Sequence, residues 1–487
     1  MNRIRFVDTT LRDGHQSLWA LRMRTGMMLP IAERMDAAGF ESIELTTAVY
    51  FRIAIRDLKE DPFAMIRLMA GRITKTPLRL IASRINVFGY DPPSMYRLFL
   101  ERCVANGLKE IRISDPWNDL EGWRRRAALA RSVGLTPLLN IIYSVSPRHG
   151  DDYYAERTRQ AASVGVFRLC LKDPGGLLTP ERARTLVPIV LANAGDTPVE
   201  LHTHCTTGLG PLVALEAIKA GVRIVNTGLP PLADGSALPS LFNVARNARA
   251  LGFEPDIDEE VLRPVSEHFN TIARREGLPI GAPVEYDYAQ YLHQVPGGMI
   301  SNLANQLRLV GLDHRLAEAL EETIRVRAEW GYPVMVTPLS QFVGSQAAIN
   351  VILGERYKEV TDQTIGYALG YHGAEGAATM DPAVKAKILD RPRAKQLAAL
   401  EFPDQSVEQT RAKLGGPDTG DDELLMRWFT SPQDVAAMRA AGPPCDYANA
   451  VRPLSALIDA LSRRTDCSSI RVQKPGFTLT LEKRTVP

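Results

Sequence analysis

Cysteine is scarce: five in 487 residues, at Cys103, Cys170, Cys205, Cys445 and Cys467, with no CxxC pair among them. A disulfide framework or a cysteine-built zinc site needs paired spacing, so neither is expected, and scattered thiols suit a reducing cytoplasm. Charge of one sign is also lacking, with Lys+Arg 58 against Asp+Glu 56 and a net charge of +2. A nucleic-acid binder usually carries a basic excess or stripe, so no nucleic-acid partner is expected. No run of about 18 apolar residues occurs, which argues against a membrane span. The opening "MNRIRFVDTTLRD" has no apolar h-region, so a cytoplasmic protein without a signal peptide is expected. No GxGxxG follows a strand-like run, which weakens the case for an open doubly wound nucleotide-binding sheet.

What is present is alternation. Short β-like runs stand at Arg3–Asp8, Ser42–Thr47, Leu78–Ser83, Glu110–Ser114, Thr136–Ser144, Val166–Lys172, Val199–His204 and Arg223–Gly228. Helix-like stretches lie between them, several ending in glycine. The runs are apolar with little polar alternation, as in a parallel sheet buried on both faces. Eight such units in about 250 residues predict an α/β fold, a (β/α)8 TIM barrel over residues 1–252. From Phe253 to Ala440 the pattern turns helical, predicting a mostly helical second domain. The tail, 447–487, reads as a small unit. Val451, Leu454, Leu457, Ile458 and Leu461 share one helical face. Strands with Ile470 and Val472, then Phe477, Leu479 and Leu481, flank a Pro475-Gly476 turn.

In such a barrel, chemistry sits at the C-terminal ends of the strands. After the first strand comes "LRDGHQ", with Arg12, Asp13 and Gln16; the sixth ends at Lys172; the seventh carries His202 and His204 in "LHTHC". Strand residues i and i+2 point the same way, so the two imidazoles project together. His-X-His with an acid on a neighbouring strand is a donor set for a divalent metal, and mixed N and O donors suit Zn, Mn or Co. Lys172 has two readings. Near a dication its neutral amine is favoured, and that amine can add carbon dioxide and offer carbamate oxygens to the metal. Alternatively, it pairs with Asp173 or Asp13.

"DTTLRDGHQSLWALRMRT", "LKDPGGLLTPE", "LHTHCTTG", "QVPGGMISNLANQLRLVG" and "VTPLSQFVGSQA" occur in this order. Over roughly residues 1–400 the chain resembles the carboxyltransferase component of biotin-dependent enzymes, the family of pyruvate carboxylase, oxaloacetate decarboxylase and the keto-acid subunit of transcarboxylase. The resemblance implies a carboxyl group moved between carboxybiotin and a small keto-acid-like acceptor. It implies a metal held by Asp13, His202, His204 and a carboxylated Lys172, and a proton relay at Thr337. Ser340 falls near the biotin ring, and Gln16 faces the acceptor beside a catalytic Arg12. A homodimer is also implied.

The acceptor side departs from the family. Where relatives carry Trp-Gly-Gly after the second strand, Thr46, Thr47 and Ala48 stand here. In "IASRINVFGY" the position of the substrate arginine falls on Ser83; Arg84 serves if the loop is one residue shorter, with Tyr90 nearby. No Ala-Met-Lys-Met biotinylation motif occurs. Biotin is therefore expected on a separate biotin carboxyl carrier protein, charged by a biotin carboxylase subunit. The tail resembles the N-terminal segment of such carriers and reads as a docking element or as a cap on the helical domain. The alternative function is a biotin-independent, metal-dependent lyase or aldolase of the same superfamily; Lys172 and "VTPLS" favour carboxyl transfer. A non-catalytic assembly subunit is disfavoured by the intact chemistry set.

Overall fold

Arg3–Asp8 (β1) pairs in parallel with both Ser42–Thr47 (β2) and Ile224–Thr227 (β8). In the computed structural model this double pairing closes a ring. From β2 it runs through Leu78–Ile81 (β3), Glu110–Ile113 (β4), Thr136–Ile142 (β5), Leu169–Asp173 (β6) and Val199–Thr203 (β7) to β8. The structure describes residues 2–82, 91–295, 300, 303–304, 307–401, 404–447, 458, 461, 468–474 and 477–482. The barrel is the expected one, with strands in sequence order and a mostly helical region after it. Strand ends differ slightly: β6 starts at Leu169 and runs on to Asp173. A short strand that the sequence did not announce, Glu254–Pro255 (β9), extends the sheet from the start of β1.

Local signals set where the outer helices begin. Asp61 accepts from Phe63 and Ala64 N–H groups, Asp119 from Gly122 and Thr179 from Arg182, each satisfying donors at a helix start. The barrel interior corrects one expectation. The strands are not apolar on both faces: Glu44, Arg79, Arg112 and Glu200 are fully buried at the centre of the ring. Arg79 pairs with Glu110 at 2.9 Å and Glu200 at 2.9 Å, and Arg112 pairs with Glu44 at 2.7 Å and Glu200 at 2.5 Å. A buried charge is costly unless it is paired and hydrogen-bonded. Arg79 and Arg112 each meet two carboxylates, so every charge in this cluster has a partner of opposite sign.

Beyond the barrel a second core gathers Val326, Trp330, Leu339, Phe342 and Tyr367, and Trp117 from the barrel joins it. The chain then returns. Helices Asp421–Phe429 and Pro432–Ala440 bury Leu425, Met426, Phe429 and Met438 against the barrel core. The tail hairpin, Ser469–Lys474 (β10) and Phe477–Glu482 (β11), forms its own two-stranded sheet, with Ile470 opposite Leu481 and Val472 opposite Leu479. Val451, Leu454 and Leu457 of the expected tail helix lie outside the described residues. Among the described residues, no helix is long and apolar enough to cross a membrane.

Phe429 stacks on Phe51 at 5.0 Å and meets Phe99 edge-on at 5.5 Å. Phe429→Ala leaves a cavity at that seam and is expected to cost about 3–5 kcal/mol, read as a lower urea midpoint. An unchanged midpoint means the returning helices contribute nothing to the barrel.

Candidate functional site

The turn Thr10–Gly14 follows β1 and carries Arg12 and Asp13. Two hydroxyls pin it to the eighth strand and the loop after it: Thr9 donates to the Thr227 carbonyl at 2.9 Å, and Thr10 accepts from the Leu229 N–H at 2.9 Å. Glycine is required at Gly14, because a Cβ there would stand 2.6 Å from the Leu232 carbonyl oxygen. Arg12 is buried. Its Nε and Nη2 donate to Glu44 Oε2 at 2.9 and 2.5 Å, and its Nη1 lies 2.6 Å from Asp13 Oδ2. A guanidinium shared between two carboxylates fixes Asp13 in one rotamer.

His202 and His204 come off β7 together. Their Nε2 atoms are 3.3 Å apart, and Asp13 oxygens lie 3.5 Å from His202 Nε2 and 3.6 Å from His204 Nε2. Two donors each ~2.05 Å from one ion at a tetrahedral angle stand ~3.3 Å apart, so the spacing fits a divalent metal. The protons agree. His204 Nδ1 is 2.8 Å from the Ser236 carbonyl. A carbonyl can only accept, so Nδ1 carries the hydrogen and Nε2 keeps its lone pair. His202 Nδ1 lies 3.0 Å from Asn226 Oδ1 and 2.9 Å from Arg112 Nη1. A metal at Nε2 selects the first contact, with Nδ1–H donating to Asn226. Burial works against the Asp13 charge, but the Arg12 guanidinium beside it outweighs that and holds its carboxyl well below the usual range. Burial, with Arg112 and Lys172 nearby, pushes His202 down to about 3, leaving it the neutral imidazole a metal requires.

Lys172 stands opposite His202 in the register of β6 and β7. Burial first, then Arg12 and Arg112, push its ammonium down to about 8. The pairing with Asp173 is overturned. Asp173 is spent on the Leu177 and Leu178 N–H groups at 2.8 and 2.9 Å and on the Thr203 hydroxyl at 2.9 Å. Successive strand residues point to opposite faces, so the two side chains diverge.

A cavity of about 690 Å³ opens over these groups, and Arg12, Asp13, Gln16, Lys172, His204 and Thr337 all line it. Thr337 is exposed at its wall, carried there by the second core rather than by the barrel. Ser340 does not line the cavity: it is fully buried and its Oγ has no hydrogen-bond partner, whereas its neighbour Gln341 reaches the wall. Thr47 and Ala48 line the side where a helix, Ala48–Ile53, starts directly after β2. Ser83, Arg84 and Tyr90 lie outside the described residues. Sequence reasoning missed Glu44, Arg112, Asn226 and Ser236, which come from four separate stretches with no local signal. It also missed Ser17, which donates to Asp13 Oδ1 at 2.8 Å and, four residues after it, was findable by helical spacing.

A closed parallel barrel with a metal-competent triad at its mouth, roofed by a helical body, defines a class of barrel built to hold a divalent metal over a covered cavity. Residues 123–268 match a family model described as HMGL-like, and residues 291–439 match the conserved carboxylase domain. A pyruvate carboxylase subunit of Methanocaldococcus jannaschii is 36% identical over 392 residues, covering 80% of this chain and 68% of that protein. The 2-oxoglutarate carboxylase large subunit of Hydrogenobacter thermophilus is 32% identical, covering 88% and 67%. The methylmalonyl-CoA carboxyltransferase 5S subunit of Propionibacterium freudenreichii subsp. shermanii is 32% identical, covering 90% and 88%. The carboxyl transferase domain of Rhizobium etli pyruvate carboxylase, solved with pyruvate, shares the fold with a TM-score of 0.80 at 23% identity, over 99% of this chain and 83% of that one. The chain belongs to the carboxyltransferase family of biotin-dependent carboxylases, and the lyase reading gives way to it.

Asn226→Ala removes the acceptor that holds the His202 proton on Nδ1. It is expected to weaken zinc or manganese binding about 10–100-fold, measured by chelator competition. Unchanged affinity would mean that the Asn226 contact does not set the tautomer.

Proposed function

We propose that this chain transfers a carboxyl group between biotin on a separate carrier protein and a small 2-keto acid. One observation carries the reading: Lys172 from β6 and Thr337 from the helical body line one cavity with Asp13 and His204. A Zn, Mn or Co ion held by Asp13, His202, His204 and carboxylated Lys172 would polarise the acceptor carbonyl as a Lewis acid. The lysine is prepared for its part. An amine lowered to about 8 is still mostly protonated near pH 7, but its neutral fraction is far larger than a free lysine's, and that lone pair can bond carbon dioxide as the nitrogen loses a proton to solvent.

Arg12 keeps Asp13 aligned and places a fixed cation beside the cavity, where negative charge on the acceptor oxygen develops. Gln16 faces the acceptor at the rim. Thr337 relays a proton between the acceptor carbon and the biotin ureido nitrogen, and Ser340 supports the segment that receives the biotin ring. Arg84 and Tyr90 complete the acceptor side on sequence grounds. The roof over the barrel mouth limits water, which a reactive carboxyl donor and an enolate both require. Thr47, Ala48, Val49 and Ile53 make one wall apolar, so the acceptor includes keto acids bulkier than pyruvate.

The expected partners are a biotin carboxyl carrier protein and a biotin carboxylase subunit, with the chain working as a cytoplasmic homodimer. A streptavidin pull-down from the source cell should recover the chain with a biotinylated polypeptide. Carboxyl exchange with pyruvate, 2-oxobutyrate and 2-oxoglutarate should then identify the acceptor. Loss of exchange with every acceptor in the presence of the recovered carrier rejects the reading. Lys172→Ala should abolish transfer and a 13C carbamate resonance together; full transfer removes the carbamate from the mechanism. In Thr337→Ala, proton exchange should fall about 10²–10⁴-fold, as for loss of a general acid–base group, while metal stays bound. Wild-type exchange rejects the relay.

A further inference from the structure

Arg327 lies in the last turn of helix Leu316–Glu329 and is only 4% exposed. Among the described residues, no carboxylate lies within ion-pair distance of it. Its donors go to neutral oxygens instead: Nε to the Pro333 carbonyl at 3.1 Å, and Nη2 to Ser144 Oγ at 3.0 Å and the Val145 carbonyl at 3.1 Å. The Tyr332 ring lies 5.7 Å from its guanidinium carbon. One side chain thus joins two places far apart in the chain. Ser144 stands just past the end of β5; Pro333 belongs to the segment that carries Thr337 to the cavity.

That segment is fastened at a second point, where Arg148 donates to the Gly331 carbonyl at 2.7 Å. Gly331 has φ 76, and a Cβ there would stand 2.2 Å from Thr379 Oγ1, so the start of the segment is tightly seated. Between Pro333 and Thr337 the backbone is braced by Val336 N–H to the Val334 carbonyl at 2.8 Å, and beyond it by Ser340 N–H to the Val336 carbonyl at 3.0 Å. A shift at Pro333 is therefore passed to Thr337. A buried cation without a counter-ion is costly, and burial pushes Arg327 down to about 10. An apolar side chain would fill the space at lower cost, so stability alone does not account for an arginine there.

We propose that Arg327 is the positioning residue for Thr337, locking the roof segment to the end of β5 and so setting how deeply Thr337 enters the cavity. This rests on the reading of Thr337 as the proton relay. The test uses the metal-loaded chain with its biotinylated carrier, and pyruvate as the probe. Methyl-proton exchange in deuterated water and transfer kinetics are measured for Arg327→Met, Ser144→Ala, Thr337→Ala and the Arg327→Met/Thr337→Ala pair. In Arg327→Met, kcat and exchange should fall about 10²-fold, with KM for pyruvate and metal content as in the wild type. Ser144→Ala should give a smaller fall with the same split, and it decides the matter if Arg327→Met does not fold. The double variant should be no slower than Thr337→Ala. A double variant slower by the full factor, or a loss of metal and a rise in KM parallel to the fall in kcat, overturns the assignment. So does an inactive Thr337→Ala beside a fully active Arg327→Met, which leaves the relay standing. Wild-type exchange in Thr337→Ala removes the relay itself and this role with it.

Discussion

Glu44 sits at the centre of the barrel with no exposure to solvent, and both ends of the site hang from it. One carboxylate oxygen receives Arg12, which in turn holds Asp13; the other pairs with Arg112, which donates to Asn226 Oδ1, the acceptor of the His202 Nδ1–H. Burial raises the cost of its charge, but the Arg112 and Arg12 guanidiniums outweigh it and bring its carboxyl down to about 2. Such a network must be complete, because removing one member leaves a buried charge unpaired at a cost of about 3–5 kcal/mol. Its ion pairs form the floor beneath the candidate metal triad. The donor atoms are held within metal-ligand spacing by ion pairs one layer down the barrel.

The site is closed by a different kind of contact. The barrel supplies Asp13, Lys172, His202 and His204, while the wall bearing Thr337 belongs to the helical body. Polar contacts stitch the two together beside the apolar packing of Trp117 in the second core. Arg327 and Gln294 reach the Ser144–Val145 corner, Arg148 and Arg157 share Glu375, and Trp117 donates to the His372 carbonyl. Directional bonds fix distance and angle where a greasy interface would allow sliding. For the proton relay proposed at Thr337, fixed distance matters more than bulk stability.

Much of this was legible in the residues. Periodicity located all eight barrel strands, since each is a short run between glycine-terminated helices. His202 and His204 announced a shared direction through the two-residue repeat of a strand. The charged interior was not legible: Glu44, Arg79, Arg112 and Glu200 each look like an isolated polar residue in an apolar run. Their complementarity exists only across strands brought together from four parts of the chain. Ser340 shows the opposite limit. Its motif pointed to the cavity, but the helical turn at Leu339–Leu353 directs Gln341 there instead.

The sequence by itself determined the element types, the barrel, the donor residues and the family, because these follow from local pattern and from motifs a few residues long. Tertiary structure alone decided which nitrogen of His204 is free, which way Asp173 faces, and how Thr337 is brought over the barrel mouth. Those depend on hydrogen bonds between residues up to about two hundred positions apart, such as Arg327 with Ser144 at a separation of 183. No local rule encodes a partner at that distance; only closure of the ring and docking of the helical body put the two atoms within reach.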